Sequence, residues 1–220
     1  MMKTKAVVFD AYGTLFDVNS AAKRCKDKIG DKWETFANFW RTTQLEYTWL
    51  RSLMKRHKNF WDITEDSLDK SMKVFNINKN MKSELLSLYK ILSPYPEVKE
   101  VLEDLKKKNF KLAILSNGTP DLLNELVKSN KLDNLFDDLF SIEEVKIYKP
   151  DPSVYELPIK KYKIKSDEVT FLSANTWDVS GGGNFGYNSI WVNRHNSVFD
   201  ILDFQPKNEI SNLMQLLDKV

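Results

Sequence analysis

Histidine, arginine and cysteine are scarce in this 220-residue chain, which has two histidines (His57 and His195) and a single cysteine (Cys25). One thiol closes no internal disulfide and builds no thiolate zinc cluster, and two histidines make no three-His metal site. No G-x-S-x-G elbow occurs anywhere, so the setting of an α/β-hydrolase serine is missing as well. Long apolar runs are also lacking. The start, Met1-Met2-Lys3-Thr4-Lys5, leads into only Ala6 to Phe9 before Asp10. A membrane span needs about 20 apolar residues, and a secretory signal needs a longer apolar stretch with a cleavage site. The expectation is a cytoplasmic protein with no membrane partner. A formal net charge of +2 gives no field suited to nucleic acid. The run Lys106-Lys107-Lys108 reads as a solvated helix end. Any chemistry here falls to carboxylates, amines and hydroxyls.

Four short apolar runs have strand character: Ala6 to Phe9, Leu112 to Leu115, Val169 to Leu172 and Ile190 to Val192. Their continuous apolarity fits strands buried on both faces of a parallel sheet. Helical patterns fall between and after them, at roughly 97–108, 120–130, 153–163 and 208–219. The alternation predicts an α/β fold with a doubly wound, Rossmann-like parallel-sheet core. About a hundred residues separate the first run from the second, far more than one crossover needs. The stretch 17–93 lacks proline and reads as helix throughout, and Pro94-Tyr95-Pro96 marks the return. The expected organisation is therefore a core of 1–16 and 94–220 with a helical cap, 17–93, inserted after the first strand.

The longest cap helix is expected at about 31–56. On a helical wheel Trp33, Phe36, Trp40, Tyr47 and Met54 share one arc, and Trp49, Leu50 and Leu53 share another. Arg41 and Leu45 lie in the sector between. Two apolar arcs are accounted for either by a homodimer contact through the cap or by a thicker monomeric cap.

Ligands of open α/β sheets bind beyond the carboxyl ends of the strands. Those ends read Asp10-Ala11-Tyr12-Gly13-Thr14, Ser116-Asn117-Gly118-Thr119, and Ser173-Ala174-Asn175-Thr176-Trp177-Asp178. Lys149 precedes Pro150-Asp151-Pro152 at the entry to a helix carrying Tyr155, and Pro150 biases Lys149 toward extended geometry.

These segments carry a resemblance. Phe9 to Asp17 resembles the first motif of the haloacid dehalogenase superfamily. Ser116-Asn117-Gly118 resembles the second motif, Tyr148 to Pro152 the third, and Ser173 to Asp178 the fourth. Magnesium phosphatases of that superfamily carry a second Asp two residues after the nucleophile, where this chain has Tyr12. They also place extra carboxylates in the fourth motif, where Ser173, Ala174 and Asn175 offer none. Arg41 to Met54, Tyr148 to Leu157 and Asn175 to Asp178 are similar to the (S)-2-haloacid dehalogenases. Ala174 and the glycines at 181–183 depart from that pattern.

The resemblance implies a hydrolase acting on short 2-haloacids, with water as co-substrate and no metal or cofactor. Asp10 would be the nucleophile. Thr14, Lys149, Ser173, Asn175 and Asp178 would orient it and the water, Asp178 activating the latter. Ser116 would hold the substrate carboxylate, while Arg41, Asn117 and Trp177 would cradle the halide. Tyr12, Leu45 and Phe60 would line the pocket, and Tyr155 would support the Lys149 side.

Gly181-Gly182-Gly183-Asn184-Phe185-Gly186 satisfies G-x-G-x-x-G but starts nine residues after Leu172, not directly after a strand. It reads as a place of close approach or bending. Two rivals remain on the sequence: a magnesium-dependent phosphatase of the same superfamily, and a non-catalytic binding protein using the cap arcs.

Overall fold

The computed structural model describes residues 4–220; the first three residues of the start and of the expected core segment lie outside the described residues. Six parallel strands form one sheet in the order β3-β2-β1-β4-β5-β6. They are β1 (Ala6–Phe9), β2 (Lys111–Ser116), β3 (Asp138–Ser141), β4 (Val169–Ser173), β5 (Asn188–Val192) and β6 (Asn208–Ile210). Every residue of β1 is buried, as a Val-rich strand covered on both faces must be. Phe9 is level with Ile114 of β2 on one side and Leu172 of β4 on the other. Asp10 therefore leaves the sheet where the strand order reverses, between β1 and β4, the crevice where doubly wound sheets take ligands.

Between β1 and β2 the chain forms α1 (Ser20–Arg24), α2 (Lys26–Ile29), α3 (Trp33–Leu53), α4 (Phe60–Val74), α5 (Lys82–Lys90) and α6 (Val98–Lys107). The two connections flanking 17–93 run side by side: Asp17 N donates to Ser93 O at 2.8 Å and Tyr95 N to Leu15 O at 3.0 Å. Gly13, at φ +90°, makes the tight turn that starts this excursion. After β2 come α7 (Pro120–Ser129), α8 (Pro152–Tyr162) and α9 (Thr176–Phe185). Thr119 and Asp151 cap α7 and α8, each followed by a proline whose missing N–H costs a helix start nothing. The apolar residues of α6, Val98, Val101, Leu102 and Leu105, follow the helical period and are all buried.

Several sequence expectations need correction. Two strands went unread. β3 has polar residues at both ends, and β6 is three residues long, pairing Ile210 with Val192. The helix expected at 208–219 is this strand followed by a 3-10 helix, Leu213–Asp218. The stretch 17–93 is broken by non-helical turns, and α3 is shorter than the expected 31–56. Its buried side carries Phe36, Ala37, Trp40, Gln44 and Thr48, so the first arc holds only in part. Met54 falls past the helix end and is exposed, because the helical period does not reach it. Leu50 and Leu53 of the second arc are exposed, whereas Trp49 packs edge-on against Trp177. The glycine run lies inside α9 and serves close approach: a Cβ on Gly181 would sit 2.5 Å from the Tyr155 hydroxyl, and one on Gly182 2.7 Å from the Phe171 ring.

Candidate active site

Asp10 caps the end of β1 and is 5% exposed. Its Oδ1 accepts from Lys149 Nζ at 3.2 Å. Its Oδ2 accepts from Thr14 Oγ1 at 3.0 Å and Asn175 Nδ2 at 2.9 Å, with Ser173 Oγ at 3.5 Å. Thr14 is fixed from its other side, because Oγ1 also accepts from Ala174 N at 2.8 Å. Asn175 occupies the N-cap position of α9, yet its side chain does not cap the helix; the amide turns to Asp10 and the Tyr12 carbonyl instead. An N-cap residue type is thus diverted from helix capping to the site.

Lys149 is fully buried, and its ammonium also donates to Asp178 Oδ2 at 2.9 Å. The remaining oxygen of Asp178, Oδ1, accepts from Tyr155 OH at 2.7 Å. Tyr155 thus reaches the Lys149 side of the site through Asp178, with no direct bond to the ammonium. Burial dominates at Asp178 and pushes its carboxyl up to about 6; the Lys149 ammonium opposes this and the Asp10 charge adds to it.

Lys149 is aimed by the backbone as well. Its N–H donates to Asn117 Oδ1 at 3.2 Å, which leaves the Asn117 Nδ2 donor for another acceptor. Ser116 is fully buried at the end of β2, and its Oγ accepts from Gly118 N at 3.0 Å. From the cap, Arg41 reaches in through NH2, which lies 3.4 Å from the Tyr12 carbonyl that Asn175 also contacts. Phe60, the first residue of α4, is fully buried with its ring 5.2 Å from that of Tyr12. Burial raises the Tyr12 phenol well above its ordinary value, so it stays neutral. Leu45 lies one turn beyond Arg41 and is partly exposed. Trp177, the second residue of α9, packs on Trp49, with no hydrogen bond to the Asp10 cluster.

Seven of the expected residues, Asp10, Thr14, Lys149, Tyr155, Ser173, Asn175 and Asp178, thus form one connected hydrogen-bond network. Arg41, Tyr12 and Asn117 border it, while Ser116, Leu45, Phe60 and Trp177 are placed around it without a polar link. Three contributors were not foreseen. Gln44 accepts from Arg41 NH1 at 2.8 Å, Tyr89 hydrogen-bonds Gln44, and Arg194 NH2 donates to the Thr14 carbonyl at 2.8 Å. Gln44 follows Arg41 by three residues on one helix, a spacing that brings side chains together and was open to reading. Tyr89 and Arg194 approach from distant parts of the chain and left no such sign.

A family described as haloacid dehalogenase-like hydrolase matches residues 4–186. The chain is 40% identical to (S)-2-haloacid dehalogenase 4A of Burkholderia cepacia over 96% of its length and 93% of that protein. It is 39% identical to (S)-2-haloacid dehalogenase 1 of Pseudomonas sp. (strain CBS-3), over 96% and 94%. Among solved structures, L-2-haloacid dehalogenase from Xanthobacter autotrophicus with chloropropionic acid covalently bound superposes with a TM-score of 0.90, at 32% identity over 97% of this chain and 96% of that one. With the motif residues gathered at one sheet rim, the chain belongs to the haloacid dehalogenase-like hydrolases and, among them, to the (S)-2-haloacid dehalogenase family.

Proposed function

We propose that this protein hydrolyses short (S)-2-haloalkanoic acids to (R)-2-hydroxyalkanoic acids and halide through an ester on Asp10. The observation that carries the reading is the setting of Asp10: a buried ammonium and three neutral donors hold its carboxylate at the strand-order reversal. An Asp10 oxygen attacks C2, and the halide leaves with its bonding pair from the opposite face, inverting the carbon. Water then attacks Cγ of Asp10, and the ester's Cγ–O bond breaks. The product hydroxyl keeps the Asp10 oxygen, and a water oxygen replaces it. One displacement becomes two easier steps.

Asp178 is the base for the water, since a carboxyl near 6 is ionised at neutral pH yet basic enough to take a proton. Lys149, Thr14, Ser173 and Asn175 hold Asp10 in line, and Tyr155 holds Asp178. Arg41, the free Asn117 amide and the positive edge of the Trp177 ring receive the halide. Ser116 and nearby backbone N–H groups receive the substrate carboxylate, while Tyr12, Leu45 and Phe60 wall its alkyl part. A divalent cation does not fit this donor set, because the Lys149 ammonium already bridges the two carboxylates. No step runs through a metal.

The reading extends to organisation. Residues 17–93 act as a cap over the core of 1–16 and 94–220. The exposed Leu50, Leu53 and Met54 supply a homodimer contact through that cap. A single buried thiol suits a cytoplasmic setting. No helix among the described residues is long and apolar enough to cross a membrane.

The test is halide release from (S)-2-chloropropionate in the presence of EDTA, followed by a single turnover in ¹⁸O-water. Release together with label in the Asp10 carboxylate supports the reading. No release from several short 2-haloacids, alongside magnesium-dependent phosphate release from phosphate esters, overturns it.

A further inference from the structure

Arg41 differs from the other cations around the site in having no acidic partner. Among the described residues no carboxylate lies within ion-pair distance of it. Its NH1 donates to Gln44 Oε1 at 2.8 Å and its NH2 approaches the Tyr12 carbonyl, both neutral acceptors. The tether is itself built in. Gln44 is 1% exposed, its Nε2 donates to Thr64 Oγ1 at 2.6 Å, and it shares a hydrogen bond with the Tyr89 hydroxyl. Thr64 Oγ1 is held in turn by donating to Phe60 O at 2.7 Å on α4. Burial raises the Tyr89 phenol, so this partner is neutral too. A guanidinium has five N–H donors, and these contacts leave several free.

We propose that Gln44 is a positioning residue that fixes the Arg41 guanidinium while leaving its positive charge uncompensated for a bound anion, the departing halide. A glutamate at this place would pair with Arg41 and compete with the anion, and it would have no N–H to give Thr64 Oγ1. A glutamine cannot compete, and burial between α3 and α4 gives it one orientation. The inference rests on the proposed dehalogenase reading for the identity of the anion, but not for the existence of the anion site.

Gln44→Glu and Gln44→Met separate charge from tethering. For each variant the measurements are kcat and KM for (S)-2-chloropropionate, calorimetric binding of bromide, and the thermal unfolding midpoint. Gln44→Glu is expected to raise KM and weaken bromide binding by about tenfold or more, roughly the cost of one neutralised charge contact. Gln44→Met removes the tether to Arg41, with the bonds to Thr64 and Tyr89, without adding charge, and should weaken bromide binding by only about threefold. Wild-type KM and bromide affinity in a folded Gln44→Glu overturn the tether. Should that variant not fold, wild-type bromide affinity in Gln44→Met overturns it instead. Equal loss of stability in both with unchanged KM also overturns it, leaving Gln44 a packing residue. A wild-type protein that binds bromide but releases no halide sinks the dehalogenase reading and leaves the tether standing; one that binds no bromide sinks the tether.

Discussion

Lys149, wholly buried, lies between two carboxylates, whereas Arg41, half-buried on the cap helix, meets only neutral oxygens. Lys149 touches the nucleophile directly and Arg41 shares the Tyr12 carbonyl with Asn175, one of the nucleophile's donors, so the difference separates two kinds of work. On the core side the cation is already answered, and the arrangement holds Asp10 and Asp178 in place before any substrate arrives. On the cap side a charge is held ready and unanswered, which suits a group that must receive an anion and let it go. A fully paired cation would bind the halide poorly, and an unpaired one deep in the core would destabilise the fold.

Removing each cation should break the symmetry of that picture in opposite ways. Lys149→Met leaves two carboxylates buried beside each other with no ammonium between them. It is expected to abolish halide release and to destabilise the fold by about 3–5 kcal/mol, read by urea unfolding. Arg41→Met should lower kcat/KM by about 10²–10³, the usual cost of one lost anion donor, with little change in the unfolding midpoint. A stable Lys149→Met, or an Arg41→Met that unfolds, would erase the distinction between the two sides.

The pH dependence sharpens it further. Activity that needs ionised Asp178 should rise with pH through about 6. Stability should run the other way. A carboxyl raised in the folded state binds its proton more tightly there than in the unfolded chain. Its stabilising contribution is therefore complete below the ordinary carboxylate range and lost as pH climbs through about 6. Asp178→Asn takes away the base and should abolish turnover, and it should also remove this slope, seen as the difference in unfolding midpoint from wild type between pH 4 and 8. Taking the difference matters, because at Glu97 and Asp137 burial is outweighed by backbone hydrogen bonds and ion pairs that together lower the carboxyl, and these contribute slopes of the opposite sign.

The core side was also the side legible in the sequence. Asp10, Ser116 and Ser173 follow or end apolar strands, and parallel register brings such ends to one rim whatever their distance along the chain. The Pro-flanked turn after Lys149 likewise marked itself. The cap side was harder, because helical periodicity reports which face is apolar and not what a polar residue on the buried face holds. Gln44 and Thr48 sit on the buried side of α3 among aromatic residues, where a wheel counts them as interruptions. Strand β6 was lost for a related reason: three residues carry no period, and the leucines at 213, 216 and 217 imitate one turn too many of an α-helix.

The smallest effects come from two neighbouring glycines of α9, and they mark where the tied region of the core ends. Alanine in place of an internal helical glycine gains about 0.5–1 kcal/mol of backbone entropy, so the outcome depends on what the added methyl meets. At Gly183 it would overlap the ring of Phe204, a partly exposed side chain on the connection to β6 whose ring can swing aside. Gly183→Ala should therefore leave halide release unchanged and shift stability by less than about 1 kcal/mol. At Gly181 the methyl would lie 2.5 Å from the Tyr155 hydroxyl and 2.6 Å from Pro150 Cβ. Tyr155 cannot retreat, since Phe171, Phe185 and Tyr187 pack around its ring. Its bond to Asp178 favours the ionised carboxylate. Losing that bond raises Asp178 further, so Gly181→Ala should move the acid limb of the rate profile to higher pH. A rate profile for Gly181→Ala that superposes on that of Gly183→Ala would mean that the Tyr155 hydroxyl plays no part in setting the base.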